Sequence, residues 1–301
     1  MDYWILAALG ASLLFGITNN LDSHLVAKRM PGVRAFLLVV AVAIFVVIQP
    51  FIFVFPLPKD IGGLVMASAL ASALMRSLAS LIMIIAFRSE EVVGVVPLIY
   101  AYPMFVALAA VPLFGETLNA WQWLAIIIIA AGAIIVALRP KGGGSGRWLG
   151  KHFPLLVLGA LLFAGADLSG KYALEEISSP TLYWMSMGML AVICFAIALR
   201  PAVIKSLKNL ENAWSAYVLL GINEIMVLGA IILSFWAIQK GPVSLASTVL
   251  ASRPMFVFIA AVVLSRLFPG FVYWQSDQKM LVYKFAGILM IVVGISIIYL
   301  V

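Results

Sequence analysis

Charge is what this chain has least of. Asp, Glu, Lys and Arg make up only 10% of it, against about 25% in ordinary soluble domains. So few charges cannot clothe the core of a soluble protein of 301 residues, which sets aside a soluble enzyme. One cysteine, Cys194, excludes an intrachain disulfide. Two histidines, His24 and His152, stand far apart with no Cys/His cluster beside them, so a metal centre of the usual kind has no ligands. The stretch GRWLGKH at 146–152 has the wrong spacing for a phosphate loop and no Ser or Thr after its lysine. ATP hydrolysis is therefore set aside, and no cofactor is expected. The energy source is expected to be a proton gradient or exchange for a counter-substrate. The N-terminus lacks a basic leader and a cleavage site of A-x-A type, so it reads as a retained span.

What is present is hydrocarbon. The chain is 65% hydrophobic, and one bilayer crossing needs about 20 apolar residues. Ten runs reach that length: 4–25, 34–55, 64–87, 93–114, 119–138, 154–174, 180–199, 215–238, 243–265 and 281–300. Each is expected to be helical, because lipid offers no partner to a free backbone N–H or C=O. The alternating pattern of a membrane barrel strand is absent. The expectation is an all-α polytopic membrane protein with membrane lipid around it.

The chain also repeats itself. AYPMFVALA at 101–109 returns as SRPMFVFIA at 252–260. At an offset of 149, Gly16 falls on Gly165 and Pro31 on Pro180. At 151, Pro103 falls on Pro254, and at 162, Gly132 falls on Gly294. These landmarks divide the chain into two five-helix units, 1–139 and 153–301, joined by a basic Gly-rich linker at 140–152. Five is odd, so the second unit must cross the membrane in the opposite sense. Inverted repeats of this kind place a solute site near the bilayer midplane.

Net charge is +7, and its placement speaks of topology rather than nucleic acid. Thirteen of the 19 Lys and Arg residues fall in the odd-numbered loops; Lys59, Lys171 and Lys240 fall in or beside the even ones. Odd loops are thus expected in the cytoplasm of a cell-membrane protein, with both termini outside.

The stretch from Val95 to Leu138 carries a mid-span proline, the turn FGETL at 114–118, Trp121 and Trp123, and then AAGAIIVAL. On these features, and over nearly its whole length, the chain resembles the EamA family of the drug/metabolite transporter superfamily. The second half keeps the proline and Gly294 but has LSRLFPGF in place of the FGETL turn. The resemblance implies ten transmembrane helices as two inverted five-helix repeats. It also implies a central cavity lined mainly by spans 1, 3, 4, 6, 8 and 9, and export of amino acids or other small metabolites.

Polar groups inside the spans mark where such a site would lie, since an ionisable residue at bilayer depth is a functional candidate by default. Arg76 shares a helix face with Ser68, Ser72 and Ser80. Arg253 stands mid-span beside Ser252, and Glu224 and Asn223 lie a third of the way into span 8. Asp167 and Lys171, spaced i,i+4, can pair with each other. Asn19 and Asn20 lie one turn deeper than Asp22, which aligns with Lys171. Tyr100, Tyr102, Tyr183, Trp184 and Trp236 offer an aromatic wall. Pro97, Pro103 and Pro254 break spans 4 and 9 and serve as hinges, because each removes a helical hydrogen bond.

Two readings of the charges stay open. In one, Arg76, Arg253 and Glu224 neutralise one another and fix helix register. In the other, an arginine meets an anionic substrate group and Glu224 takes a proton or a substrate ammonium. Two cations against one deep anion favour an anionic or zwitterionic, amino-acid-like solute. The function expected is secondary transport of a small-molecule substrate by alternating access, as a monomer or homodimer. A lipid or lipid-linked flippase is the first rival. The second is a membrane enzyme acting on a lipid headgroup through Asp167, Lys171 or Glu224.

Overall fold

The computed structural model describes residues 3–89, 95, 99, 102–137, 153–210, 212–268 and 278–300. Among the described residues, all regular secondary structure is helical. The first half holds α1 (Tyr3–His24), α2 (Val33–Val54), α3 (Gly63–Ser89), α4 (Pro103–Phe114) and α5 (Ala120–Ala137). The second holds α6 (Phe153–Ala173), α7 (Ser179–Ala198), α8 (Pro201–Lys208), α9 (Ala213–Lys240), α10 (Val243–Leu250), α11 (Arg253–Leu267) and α12 (Gln278–Leu300).

Among the described residues, eight helical segments are long and apolar enough to cross a membrane, counting α10 and α11 together as one. The fourth and fifth expected runs are present as the shorter apolar helices Pro103–Phe114 and Ala120–Ile135. Before Tyr102, only Val95 and Ile99 of the fourth run are described, so the hinge Pro97 and the wall residue Tyr100 lie outside the described residues. The linker 140–152 lies outside them too. Large apolar side chains face outward, Phe53 at 80% and Trp214 at 79% exposure among them. Such a surface suits lipid and would aggregate in water.

Two local features depart from the sequence reading. The π-turn Leu25–Arg29 prolongs α1 beyond the expected end at 25. The short helix α8 fills what reads as a loop, has no buried residue, and ends in Lys205 and Lys208. Its alternation of apolar and basic residues suits the membrane–water boundary.

Span 9 breaks where its proline predicts. α10 stops at Leu250, Ala251 and Ser252 form a turn, and α11 restarts at Arg253 with Pro254 in its first turn. Pro254 cannot bond the Leu250 carbonyl. The Ser12 hydroxyl of α1 takes that role, donating to Leu250 O at 3.1 Å.

Hydrogen bonds between helix ends sort them into two faces. Arg88, ending α3, donates to Val26 O after α1 at 2.6 Å. Arg29 donates to the Ser215 hydroxyl near the start of α9 at 2.5 Å. These ends, with Lys28, Lys205 and Lys208, form the basic face. On the other, or far, face, Glu176 after α6 accepts from the Gly62 N–H before α3 at 3.3 Å. Lys171 donates to Gly241 O after α9 at 2.8 Å, and Trp184 to Phe55 O after α2 at 2.9 Å. Glu116, in the FGETL turn, accepts from the Val243 N–H at 2.5 Å and the Ser244 N–H at 3.2 Å. Its carboxylate thereby caps the positive end of α10.

The two halves pack by exchange. α1 lies along α9 as α6 lies along α3, while α2 meets α7 and α5 meets α12. The last pair is the most exacting. A methyl group at Gly132 would lie 2.7 Å from the Gly287 carbonyl oxygen and 3.1 Å from Ile291. One at Gly294 would lie 3.1 Å from the Ala125 carbonyl oxygen and 2.5 Å from Ile129. Residues 125, 129 and 132 differ from 287, 291 and 294 by the same 162 read from the sequence. Moving up α5 from Ala125 to Gly132 moves down α12 from Gly294 to Gly287, so these matched helices run antiparallel.

Candidate functional site

A cavity of about 80 Å³ opens among α1, α2, α3, α6, α7, α9 and α11. It is walled by Phe15, Thr18, Asn19 and Asp22 of α1, Phe36, Val40 and Ile44 of α2, and Arg76, Ser80, Met83 and Ile84 of α3. Phe163, Met187, Leu190, Glu224, Val227, Ile231 and Arg253 complete it. On α1, α2 and α3 these residues run from the middle toward the basic face. Toward the far face the space is filled. α10 is buried along its whole length there, and Asp167, one turn beyond Phe163 on α6, is 1% exposed.

Asp167 joins both halves of the chain. Its Oδ1 accepts from Arg76 Nη2 at 2.7 Å. Its Oδ2 accepts from the Tyr102 hydroxyl at 2.7 Å and from the Ser247 hydroxyl at 2.7 Å. Arg76 is held by one nitrogen of its fork, its Nε is buried with no hydrogen-bond partner, and its Cζ lies 4.7 Å from the centre of the Phe235 ring. Since Arg76 also lines the cavity, it stands between the cavity and the Asp167 cluster.

Arg253 enters the cavity from the α10–α11 break with its Cζ 3.5 Å from the centre of the Phe15 ring, a cation–π stack. Opposite in charge, Glu224 and Asp22 line the same space. Asn223 donates to Asp22 Oδ1 at 2.8 Å and so ties α9 to α1. Among the described residues the ion pair is Arg76–Asp167, and neither Asp22 nor Glu224 has a cation within pairing distance. Asn19 contributes a buried Nδ2 without a hydrogen-bond partner.

Four of the expected site residues, Arg76, Arg253, Glu224 and Asn19, thus meet in one cavity. The others take different places. Asp167 does not pair with Lys171, because Arg76 is nearer and the lysine reaches the other way. Lys171 binds Ile238 O at 2.9 Å and Gly241 O at 2.8 Å, where the end of α9 leaves carbonyls unpaired. Asn20 donates to Gly16 O at 2.8 Å and Val257 O at 3.0 Å, fastening α1 to α11. Ser252 is buried in the turn before α11, and Trp236 packs on the hydrophobic core. Pro103 opens α4 as Pro254 opens α11.

The aromatic wall is different from the one expected. Tyr102 serves Asp167, Tyr183 packs edge-on to Phe51, and Trp184 bonds a backbone carbonyl. Phe15, Phe36 and Phe163 line the cavity instead. Phenylalanines are so common in apolar spans that nothing in the sequence marks these three out. Asp22 is a further wall residue of the cavity. Near the end of its span it reads as a boundary charge, and only the packing of α1 on α9 brings it beside Glu224.

The model of the EamA-like transporter family matches residues 2–138 and again 152–300. No curated protein matches the chain. One solved structure, described only as the crystal structure of a protein, is similar over 100% of this chain and 97% of its own. The TM-score is 0.68 at 15% identity, a likeness of fold alone. Matched once in each half, this multi-pass membrane protein belongs to the EamA-like transporter family, whose members carry small molecules across membranes.

Proposed function

We propose that the protein is a secondary transporter that moves a small zwitterionic, amino-acid-like solute across the cell membrane by alternating access. Residues 1–139 and 153–301 act as inverted five-helix repeats, and 140–152 is the linker between them. The antiparallel α5–α12 pair supports the inversion. One observation carries the choice of solute: the same cavity is lined by Arg253 and Arg76 together with Glu224 and Asp22.

The charges choose between solutes. Asp167 neutralises Arg76, and Asp22 adds a second carboxylate to the cavity. The cationic excess that favours a purely anionic solute is gone. Intramembrane carboxylates cost about 2.5 kcal/mol or more each, so Asp22 and Glu224 call for a cationic visitor: a substrate ammonium, or a proton when the site is empty. Arg253 presents a planar fork to a substrate carboxylate. Phe15, Phe36 and Phe163 shape the space left for an apolar side chain.

Flux into proteoliposomes, measured with labelled amino acids, simple amines and organic acids, tests this. Amino acids should be carried in preference to both other classes. Arg253→Gln and Glu224→Gln should each weaken binding about tenfold or more, the effect of one charge-assisted hydrogen bond. Unchanged affinity in Arg253→Gln would remove that residue from the site.

A further inference from the structure

We infer that Asp167 is the latch that keeps the far face shut, and that a solute opens it only if its carboxylate draws Arg76 away. This rests on the cavity being the solute site and adds what the solute must carry to be moved rather than merely bound.

The geometry supplies both parts. Asp167 lies on α6 and is held by Arg76 of α3, Tyr102 at the start of α4 and Ser247 of α10. One carboxylate therefore joins four elements, two from each half, between the cavity and the far face. The far face cannot part there without breaking at least one of these bonds.

Arg76 is the member of the cluster that a solute can reach, because it alone of the four lines the cavity. It gives Asp167 one bond from one nitrogen, while its Nε is buried and without a hydrogen-bond partner. A guanidinium held in this way has an edge to offer a second carboxylate. A solute carboxylate that Arg253 receives and that also reaches this edge of Arg76 competes with Asp167 for the same charge. Asp167 would then keep only two neutral hydroxyl donors in a dry site. A buried carboxylate stripped of its cation is strongly disfavoured. The strain is relieved when α6 moves away and water reaches the carboxylate, which is the opening of the far face. A solute with no carboxylate can bind Glu224 and Asp22 through its ammonium yet leaves the latch closed.

The test separates binding from opening. Leu174, the first residue after α6, is buried and closes its last turn by donating to Gly170 O at 2.9 Å, about two turns beyond Asp167 toward the far face. The variant Leu174→Cys, made with Cys194→Ser, places one thiol behind the latch for a membrane-impermeant maleimide. The probe solute is whichever of the twenty standard amino acids most raises the melting temperature of the purified protein, compared with its decarboxylated amine. The amino acid should speed labelling several-fold, and the amine should not, even at saturation. Asp167→Asn should raise basal labelling about tenfold, the population shift expected from losing about 1.4 kcal/mol of closed-state preference, and should make it independent of solute. It should also bind the amino acid more tightly, since Arg76 has lost its competitor; a purely structural Asp167 would weaken binding instead. Tyr102→Phe and Ser247→Ala, milder lesions, should raise basal labelling to a smaller extent. If Asp167→Asn does not fold, these two decide: wild-type labelling in both overturns the latch. Equal acceleration by amine and amino acid overturns the carboxylate trigger. If no amino acid binds, the solute reading and its trigger fail, while basal labelling of the variants still decides whether Asp167 holds the face shut.

Discussion

Asn19 and Asn20 are neighbours that do unlike things. One step along a helix turns a side chain by 100°, so two adjacent residues face different surroundings. Asn19 looks into the cavity with an unpartnered amide, whereas Asn20 holds the backbone of α11 against α1. Asn19→Ala should lower solute affinity about tenfold or more, the worth of one hydrogen bond to a charged group, with little change in stability. Asn20→Ala should do the reverse, costing about 1 kcal/mol of stability with affinity unchanged. Titration and melting of the two purified variants check both halves. The sequence marks both residues as polar groups in an apolar span and gives no means of dividing their roles. The same limit hides the partner of Arg76. Asp167 is 91 positions away, and a local i,i+4 rule offers Lys171 instead. Composition reveals which residues must be satisfied inside a membrane; only the crossing of helices reveals by what.

At the scale of elements, long apolar runs are legible because lipid enforces one solution for each. Expected and observed ends agree closely for α2, α6 and α7. The span 9 break is legible too, since Pro254 forbids one particular bond. The helix α8 is not, because eight amphipathic residues at a boundary look like any polar loop. Glycines mark the tightest crossing. In lipid, helices associate through close packing rather than hydrophobic burial, so α5 and α12 depend on having no side chain at Gly132 and Gly294. Gly132→Ala and Gly294→Ala would each press a methyl against its neighbours on the other helix, the Gly287 carbonyl oxygen at 2.7 Å and the Ile129 side chain at 2.5 Å. Each should cost about 1–3 kcal/mol, as overpacking does. Gly63→Ala, with nothing within 4 Å of the new methyl, serves as the control and should melt as the parent does. Thermal unfolding followed in detergent distinguishes the three.

For the whole molecule, the two faces are defined by contacts and the charge bias gives them a direction. Lys28, Arg29, Arg88, Lys205 and Lys208 gather on the face toward which the cavity runs. The far face has Lys59, Lys171 and Lys240, of which Lys171 is committed to carbonyls at the end of α9. Positive loops stay in the cytoplasm, so the cavity should open inward, with the Asp167 cluster closing the outside. Both chain ends should then be external. Alkaline phosphatase is active only outside the cytoplasm, and green fluorescent protein fluoresces only within it. Fused after Val301, the phosphatase should be active and the fluorescent protein dark; fused after Lys208, on the basic face, the pattern should invert. The bias is testable in its own right. Replacing Lys28, Arg29 and Arg34 with Gln takes three of the thirteen cations from the odd loops. That should shift part of the population toward the opposite orientation, seen as fluorescence appearing at the Val301 fusion. If the fusions report internal ends in the unaltered chain, the cavity faces outward instead, and the Asp167 cluster is the cytoplasmic closure of an outward-open transporter.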